Sequence, residues 1–376
     1  MKIVLAPDKY KGSLSGIEFC DITANAILSI MPNAEIIKMP LSDGGDGTID
    51  ILDYHLEGQR IKLKVTDPLF RQIEVSYLYI SSSSTAFIEM AAASGMALLK
   101  AEEQNCYNTT TFGTGELIKD AIERGAKTIV LGIGGSATND CGIGMAAALG
   151  YRFLDKKSVE IVPIGKNLID IDKIDDSNVN VGLSKITFKV ACDVTNPLYG
   201  HEGAAYVFGP QKGASKKEVD LLNIGLEHIA KVILNQFNID LQKIKGTGAA
   251  GGMGGGSLVF LNANLFSGID LVKELVDFDN KIKDANWIIT GEGKLDSQTF
   301  SGKTISGVLV SGKRYKIPIA VFCGSITLSE SVLKEYGVLY AAAILDIAKD
   351  VNDAIKNSRI YLKKIAEKFT LHIKEL

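Results

Sequence analysis

Residues 131–144 read LGIGGSATNDCGIG, an apolar run that breaks into a glycine turn and then opens a helix with hydroxyl and amide groups at its mouth. A chain built around such a turn must alternate strands with helices, which favours a parallel sheet with helices packed on it. Glycine lets a backbone approach a ligand closely, and free N–H groups at a helix mouth are what a phosphate needs. The same grammar recurs in PLSDGGDGT (40–48), GTGAAGGMGGG (246–256) and TGEGKLD (290–296). One turn of this kind would say little. Four of them point to an enzyme that handles a phosphorylated ligand.

The rest of the chain fits an α/β fold made of two different domains. Apolar runs at 2–6 and 35–39 read as strands, and 15–31 and 48–57 carry helical spacing. From 60 to 90 the texture changes: 60–65, 73–80 and 85–90 are consecutive strands split by DPL and SSSS, which predicts antiparallel pairing. Helices are expected at 114–125, 140–149 and 216–237, with strands at 127–133 and 186–194. Plain alternation returns in strands 286–290, 318–323 and 338–344, in a helix at 302–315, and in a final helix from about 351. The expected division is therefore a discontinuous domain, 1–65 plus 285–376, with 66–284 inserted as the second.

Composition excludes several classes. The 376 residues carry a formal net charge of −3, which argues against nucleic acid as a partner. No apolar stretch reaches the roughly 18–20 residues of a membrane span, and the N-terminus reads as a strand, not a signal peptide. The five cysteines are scattered without C-x-x-C spacing, and the four histidines form no metal pair. Together these features place the chain in a reducing cytoplasm. With no G-x-S-x-G elbow or Ser/His/Asp set, a nucleophile-based hydrolase is disfavoured.

Gly132-x-Gly134-x-x-Ala137 follows a strand, and Asp155 stands 21 residues after Gly134, so the turn also matches a dinucleotide fingerprint loosely. Asp140 at the helix mouth repels a bare pyrophosphate; it suits Mg²⁺-assisted binding or simple capping better. The 246–256 run reads as a flexible loop over a ligand, or as a loose linker. Ser301-Gly302-Lys303-Thr304 ends like a Walker A loop, but Ser297 stands where its first glycine belongs. Asp43 and Asp46 stand three residues apart on a glycine turn, suited to a hard cation, a hydroxylated substrate or a cap. Asp8, Asp43 and Asp193 all follow strands, where α/β sheets bind ligands. Glycine turns, separate aspartates and single lysines suit phosphoryl transfer, which needs positioning and charge more than a covalent partner.

Eight blocks carry a closer resemblance: APDKYKGSLS, PLSDGGDGT, TFGTGELI, GIGGSATND, ACDVTNPLYG, FGPQKGAS, GTGAAGGMGG and TGEGKLDSQTFSGK. In this order they resemble the signature blocks of bacterial type I glycerate kinases, from residue 6 to about 303. The resemblance implies a flavodoxin-like domain beside a mixed-sheet, restriction-endonuclease-like one, and ATP-dependent phosphorylation of D-glycerate with Mg²⁺, giving 2-phosphoglycerate. One departure is Cys141, where the family commonly has glycine or another small residue. Carried over block by block, Gly134, Gly135, Ser136, Thr138 and Asn139, with Gly251 and Gly252, would hold the nucleotide. Asp8, Lys11, Asp46 and Lys294 would hold glycerate, and Asp43 and Asp140 the metal. Asp193 is the expected base for the acceptor hydroxyl, followed by Asp43 and Asp296, with Lys11 also in the catalytic set. The expected assembly is a monomer or homodimer. A nicotinamide-dependent oxidoreductase and a non-catalytic small-molecule sensor are the alternatives.

Overall fold

The computed structural model describes every residue except Asp46, Asn180, Ser297, Gln298, Phe300, Ser301, Gly302 and Leu376. Among the described residues the strands are, in chain order, β1 (Lys2–Leu5), β2 (Glu35–Lys38), β3 (Gln59–Thr66), β4 (Gln72–Ile80), β5 (Thr85–Glu89), β6 (Thr128–Gly132), β7 (Arg152–Leu154), β8 (Lys173–Asp175), β9 (Thr187–Ala191), β10 (Asn264–Phe266), β11 (Trp287–Leu295), β12 (Ile319–Ile326) and β13 (Val338–Ala343). They divide between two compact units. One comprises Met1–Asp43, Asp50–His55 and Ile269–Leu376; the other comprises Gly44–Ile49 and Leu56–Gly268.

The first unit holds a five-stranded sheet in the order β13-β12-β11-β1-β2, with every pair parallel. Counted within the unit this is 2-1-3-4-5, the flavodoxin-like order, whose switch point lies where β1 meets β11. Strands buried on both faces must be apolar throughout, and Ile3, Val4, Leu5, Ile288 and Ile289 are each fully buried. The helix Gly16–Ile30 starts sharply because Ser15 accepts from the Glu18 N–H at 3.1 Å while the Glu18 carboxylate accepts from the Ser15 N–H at 2.9 Å. Its Phe19 joins Phe322 and Phe369, the latter from the C-terminal helix Ser358–Lys374, in one core.

The second unit holds a six-stranded mixed sheet, β10-β9-β6-β5-β4-β3. As the spacing of 60–90 predicts, β3, β4 and β5 pair antiparallel; β5, β6, β9 and β10 then run parallel. Strands β7 and β8 form a separate hairpin-like pair. Because β3 pairs with β4, residues 60–65 lie in this unit, and the chain returns to the first unit at Ile269.

Two local expectations change. The helix expected at 140–149 spans only Ile143–Ala148, because Cys141 and Gly142 both take positive φ, 53° and 72°, and delay its start. Glycine tolerates that region freely, whereas a cysteine there is strained by roughly 1–2 kcal/mol. The 246–256 run is neither a flexible loop nor a linker. It enters the buried helix Ala249–Phe260, with left-handed φ at Ala250, Gly251 and Gly252.

Candidate active site

In the first unit the carboxyl ends of the parallel strands meet, and the chemistry gathers there. The pairing of β1 with β11 continues past the strand end, since the Asp8 N–H donates to the Gly291 carbonyl at 2.8 Å. That contact sets Asp8 beside the end of β11, where Glu292 stands. Thr304, at the start of the helix Thr304–Tyr315, donates its hydroxyl to Asp8 Oδ2, and Thr299 donates to Glu292 Oε1. Burial is the main force on both acids. It pushes Asp8 up to about 6, opposed by the Thr304 bond and reinforced by the Asp43 charge. It pushes Glu292 up to about 7, opposed by the Thr299 bond and reinforced by Asp8.

A cleft of about 490 Å³ opens at this end of the sheet. Its lining includes Lys9, Lys11, Lys294 and Lys303 with Asp43 and Glu292, together with the apolar Leu345, Val351, Ala354 and Ile355. Lys294 pairs with Asp296 at 3.1 Å. Asp8 is coupled by its charge to Asp43 and Glu292, both of which line the cleft.

The two raised carboxyls set a stability prediction. The native protein holds the Glu292 proton more tightly than the unfolded chain does, so stability falls as pH rises from about 4.5 to about 7. Glu292→Gln removes that penalty. We expect it to raise the urea-unfolding free energy by about 1–2 kcal/mol at pH 8, and to leave it unchanged at pH 4. Equal effects at the two pH values would defeat this account.

In the second unit the turn after β6 is held from several sides. Met90 N–H donates to the Gly132 carbonyl at 2.8 Å, Met96 N–H to Gly135 at 3.0 Å, and Ala137 N–H to Ser94 at 2.8 Å. Lys212, 4% exposed, reaches up from below: its Nζ donates to Ser136 Oγ at 2.6 Å and to the Thr138 carbonyl at 2.8 Å. Burial pushes that ammonium down to about 8. Asp140 is fully buried, and burial raises it. Its oxygens accept from Thr111 N–H and Oγ1, both at 2.8 Å, and from the N–H groups of Gly142 at 3.2 Å and Gly144 at 3.3 Å.

Above this turn lies a small pocket of about 100 Å³ lined by Gly44, Gly45, Glu89, Ala91, Gly132, Gly134 and Gly135. Side chains are almost absent from its walls, so a ligand there would meet backbone. At its edge Gly44 has φ 85°, and a Cβ on it would stand 2.9 Å from Gly268 Cα and 3.1 Å from Ala191 Cβ. Asp193, two residues beyond Ala191, accepts from the Gly268 N–H at 2.9 Å, which fixes one carboxylate oxygen and leaves the side chain exposed.

Comparison with known proteins decides the family. The model of the glycerate kinase family matches residues 3–374. The chain belongs to the glycerate kinase family. It is 41% identical to the glycerate kinase of Bacillus subtilis (strain 168), over 100% of this chain and 98% of that one. Identity is also 41% with the glycerate 2-kinase of Escherichia coli (strain K12), over 95% and 94%. The solved chain named glycerate kinase 2 from Salmonella typhimurium LT2 superposes with a TM-score of 0.90 at 38% identity, covering 100% of this chain and 98% of that one.

The residues expected from sequence fall into two groups in this glycerate kinase family member. Asp8, Lys11, Asp43, Lys294 and Asp296 gather in the first unit; Gly134, Gly135, Ser136, Thr138, Asn139, Asp140, Asp193, Gly251 and Gly252 belong to the second. Asp46 lies outside the described residues. Asp140, expected as a metal ligand, is fully buried, and its oxygens accept from four donors, as those of a structural cap do. Gly251 and Gly252 serve packing, since a Cβ on Gly251 would stand 2.0 Å from the Thr138 carbonyl oxygen and one on Gly252 2.9 Å from Cys141 Cα. Thr138 and Asn139 are fully buried, and Thr138 Oγ1 and both Asn139 amide atoms have no hydrogen-bond partner. Glu292, Glu89 and Lys212 carry no signal of their own in the sequence.

Proposed function

We infer that this chain transfers the γ-phosphoryl group of ATP to a hydroxyl of D-glycerate and releases 2-phosphoglycerate. Membership of the glycerate kinase family over residues 3–374 carries this reading, and the E. coli relative named a glycerate 2-kinase supports the 2-phospho product. The nicotinamide alternative fits poorly, because about 100 Å³ of space at the glycine turn is far below the roughly 300–1,000 Å³ of a cleft for a large ligand.

The residues divide the work by chemistry. Asp193 is exposed and its Oδ1 accepts from the Gly268 N–H, and a carboxylate positioned in this way is the candidate acceptor for the hydroxyl proton as the phosphoryl group arrives. Lysines 9, 11, 294 and 303 supply positive charge against the phosphates and glycerate carboxylate, the ground-state and transition-state need of phosphoryl transfer.

Mg²⁺ fits the carboxylates of the cleft better than it fits Asp140. Among the described residues no group of three His, Cys, Asp or Glu could hold a metal. Mg²⁺ commonly takes only one or two carboxylates and completes its shell with water and nucleotide phosphate, and Asp43 and Glu292 offer such oxygens. When bound there it would neutralise charge on the transferred phosphates.

We place the enzyme in the cytoplasm, as a monomer or homodimer. All five cysteines are free thiols, and among the described residues no helix is long and apolar enough to cross a membrane. The direct test incubates the protein with ATP, Mg²⁺ and D-glycerate and reads the product by phosphorus NMR. The expected signal is phosphate on the secondary hydroxyl. Phosphate on the primary hydroxyl overturns the product assignment, and hydride transfer without phosphoryl transfer overturns the reading altogether.

A further inference from the structure

The five-stranded sheet of the first unit ends in two unlike edges, β2 and β13. An edge strand exposes backbone N–H and C=O groups to which another strand can pair, and proteins guard such edges with charge, proline or brevity. β2 is guarded: it is the four-residue EIIK, and its Lys38 pairs with Asp21 at 2.7 Å. In the second unit, edge strand β3 carries Arg60, Lys62 and Lys64, and edge strand β10 is three residues long. β13 has none of these guards. Its six residues are VLYAAA, without a charge or a proline. One bulge interrupts it at Leu339, since Ile319 pairs with Val338 and Ala320 with Tyr340; from there the register holds through Ala343.

One face of β13 is covered and the other is open. Tyr340 packs edge-on against Phe369 of the C-terminal helix, with ring centroids 4.9 Å apart. Leu339 and Ala341 are exposed. Beside them a groove of about 570 Å³ follows the amino ends of β12 and β13, the opposite end of these strands from the lysine-bearing cleft. Its lining includes Val310, Tyr336 and Leu339, which are 55%, 47% and 65% exposed, together with Lys313, Lys316 and Glu335. Large apolar side chains left in water around a groove mark an interaction surface.

The strand itself names the occupant. A two-fold axis needs a surface that complements itself, and an uncharged edge strand does so when it pairs antiparallel with its own copy. Antiparallel pairing sets the start of one strand beside the end of the other. The start of β13 is flanked by the apolar groove with two lysines against one glutamate; its end runs into Leu345, Asp346 and Ile347, all exposed. Groove and lysines of one copy therefore face aliphatics and a carboxylate of the other, and the match is made twice.

We propose that β13 pairs antiparallel with β13 of a second copy about a two-fold axis at Ala341, joining two first-unit sheets into one continuous sheet. This selects the homodimer from the two assemblies given above and leaves the kinase reading untouched.

The full-length protein is passed over a size-exclusion column with light-scattering detection at several micromolar concentrations. The expected mass is twice the 40.4 kDa of one chain. Leu339→Lys puts an ammonium on the exposed edge, as guarded edges carry, and is expected to give the single-chain mass with the unfolding midpoint of wild type. Ala341→Cys supplies the second arm. Residues directly opposite in an antiparallel pair stand about 4.5–5.5 Å apart at Cα, within disulfide reach, so mild oxidation is expected to give a covalent dimer on a non-reducing gel. Wild type, whose five free thiols are buried or half-buried, is the control and is expected to give none. A single-chain mass for wild type at every concentration overturns the proposal and leaves the edge to a strand of another protein. An unchanged dimer mass in Leu339→Lys, or no cross-link in Ala341→Cys, overturns it as well. Ala341→Lys repeats the mass measurement at a second exposed position if Leu339→Lys melts early.

Discussion

Asp193→Asn lowers kcat for D-glycerate by at least 100-fold and leaves ADP affinity within twofold of wild type. The substitution is well suited to the question, because an asparagine Oδ1 can still accept the Gly268 N–H bond that now fixes the carboxylate at 2.9 Å. The Gly268 contact is thus preserved while one carboxylate oxygen becomes an amide nitrogen. A positioned general base contributes about 10²–10⁴ to rate. Phosphoryl transfer can pass through a loose transition state that asks little of a base, which sets the expectation near the lower end of that range. Steady-state kinetics with D-glycerate and calorimetry with ADP give the two readouts. A kcat within threefold of wild type removes Asp193 from proton transfer. Glu89, on the wall of the glycine pocket, would then be the next carboxylate to test.

The contrast between Asp193 and its neighbours shows what a sequence can and cannot carry. Strand ends are visible as the close of an apolar run, so Asp8, Asp43 and Asp193 were legible as residues at the ligand-binding edge of a sheet. The TGEGKLD motif drew attention to Lys294 and Asp296, yet the residue with the stronger perturbation is Glu292, raised to about 7. Its burial depends on β1 lying alongside β11, and its partner field comes from Asp8, whose own hydroxyl donor is 296 positions away. Lys212 is hidden for the same reason: Ser136, to which it donates, lies 76 residues upstream.

Glycine was the most ambiguous letter. In Gly134 it keeps a pocket open, with no neighbour of its absent Cβ closer than 4.0 Å; in Gly251 it lets two backbones touch, with the Thr138 carbonyl oxygen 2.0 Å from where a Cβ would stand. Local sequence reads the same in both cases, and only the neighbours distinguish a glycine that serves a ligand from one that serves packing. The parallel sheet of the first unit was legible because its central strands carry unbroken apolar runs, Ile3–Leu5 in β1 and Trp287–Ile289 in β11. The glycine-rich entry to Ala249–Phe260 was not, because its helix depends on left-handed residues that no periodicity signals.

Asp140→Ala costs the protein about 3–5 kcal/mol of stability, the second large effect expected. The carboxylate gathers the N–H groups of Thr111, Gly142 and Gly144 and the Thr111 hydroxyl, all buried. Truncation leaves three backbone donors with no acceptor and no water access, at about 1–3 kcal/mol each before relaxation. The Thr111 hydroxyl also accepts from the Met145 N–H at 2.8 Å, so the loss spreads into the helix Ile143–Ala148. Against a typical total of about 5–15 kcal/mol, a change of this size is visible as a fall in the urea midpoint and in Tm. Asp140→Asn keeps one acceptor oxygen but turns an NH₂ toward donors, so it should fall between wild type and Asp140→Ala. The metal reading of the same residue predicts something else: a folded variant of near-normal midpoint whose activity needs far more Mg²⁺. Unfolding curves and a Mg²⁺ titration on one preparation therefore decide between cap and ligand, and a normal midpoint with a raised Mg²⁺ requirement would return Asp140 to the metal.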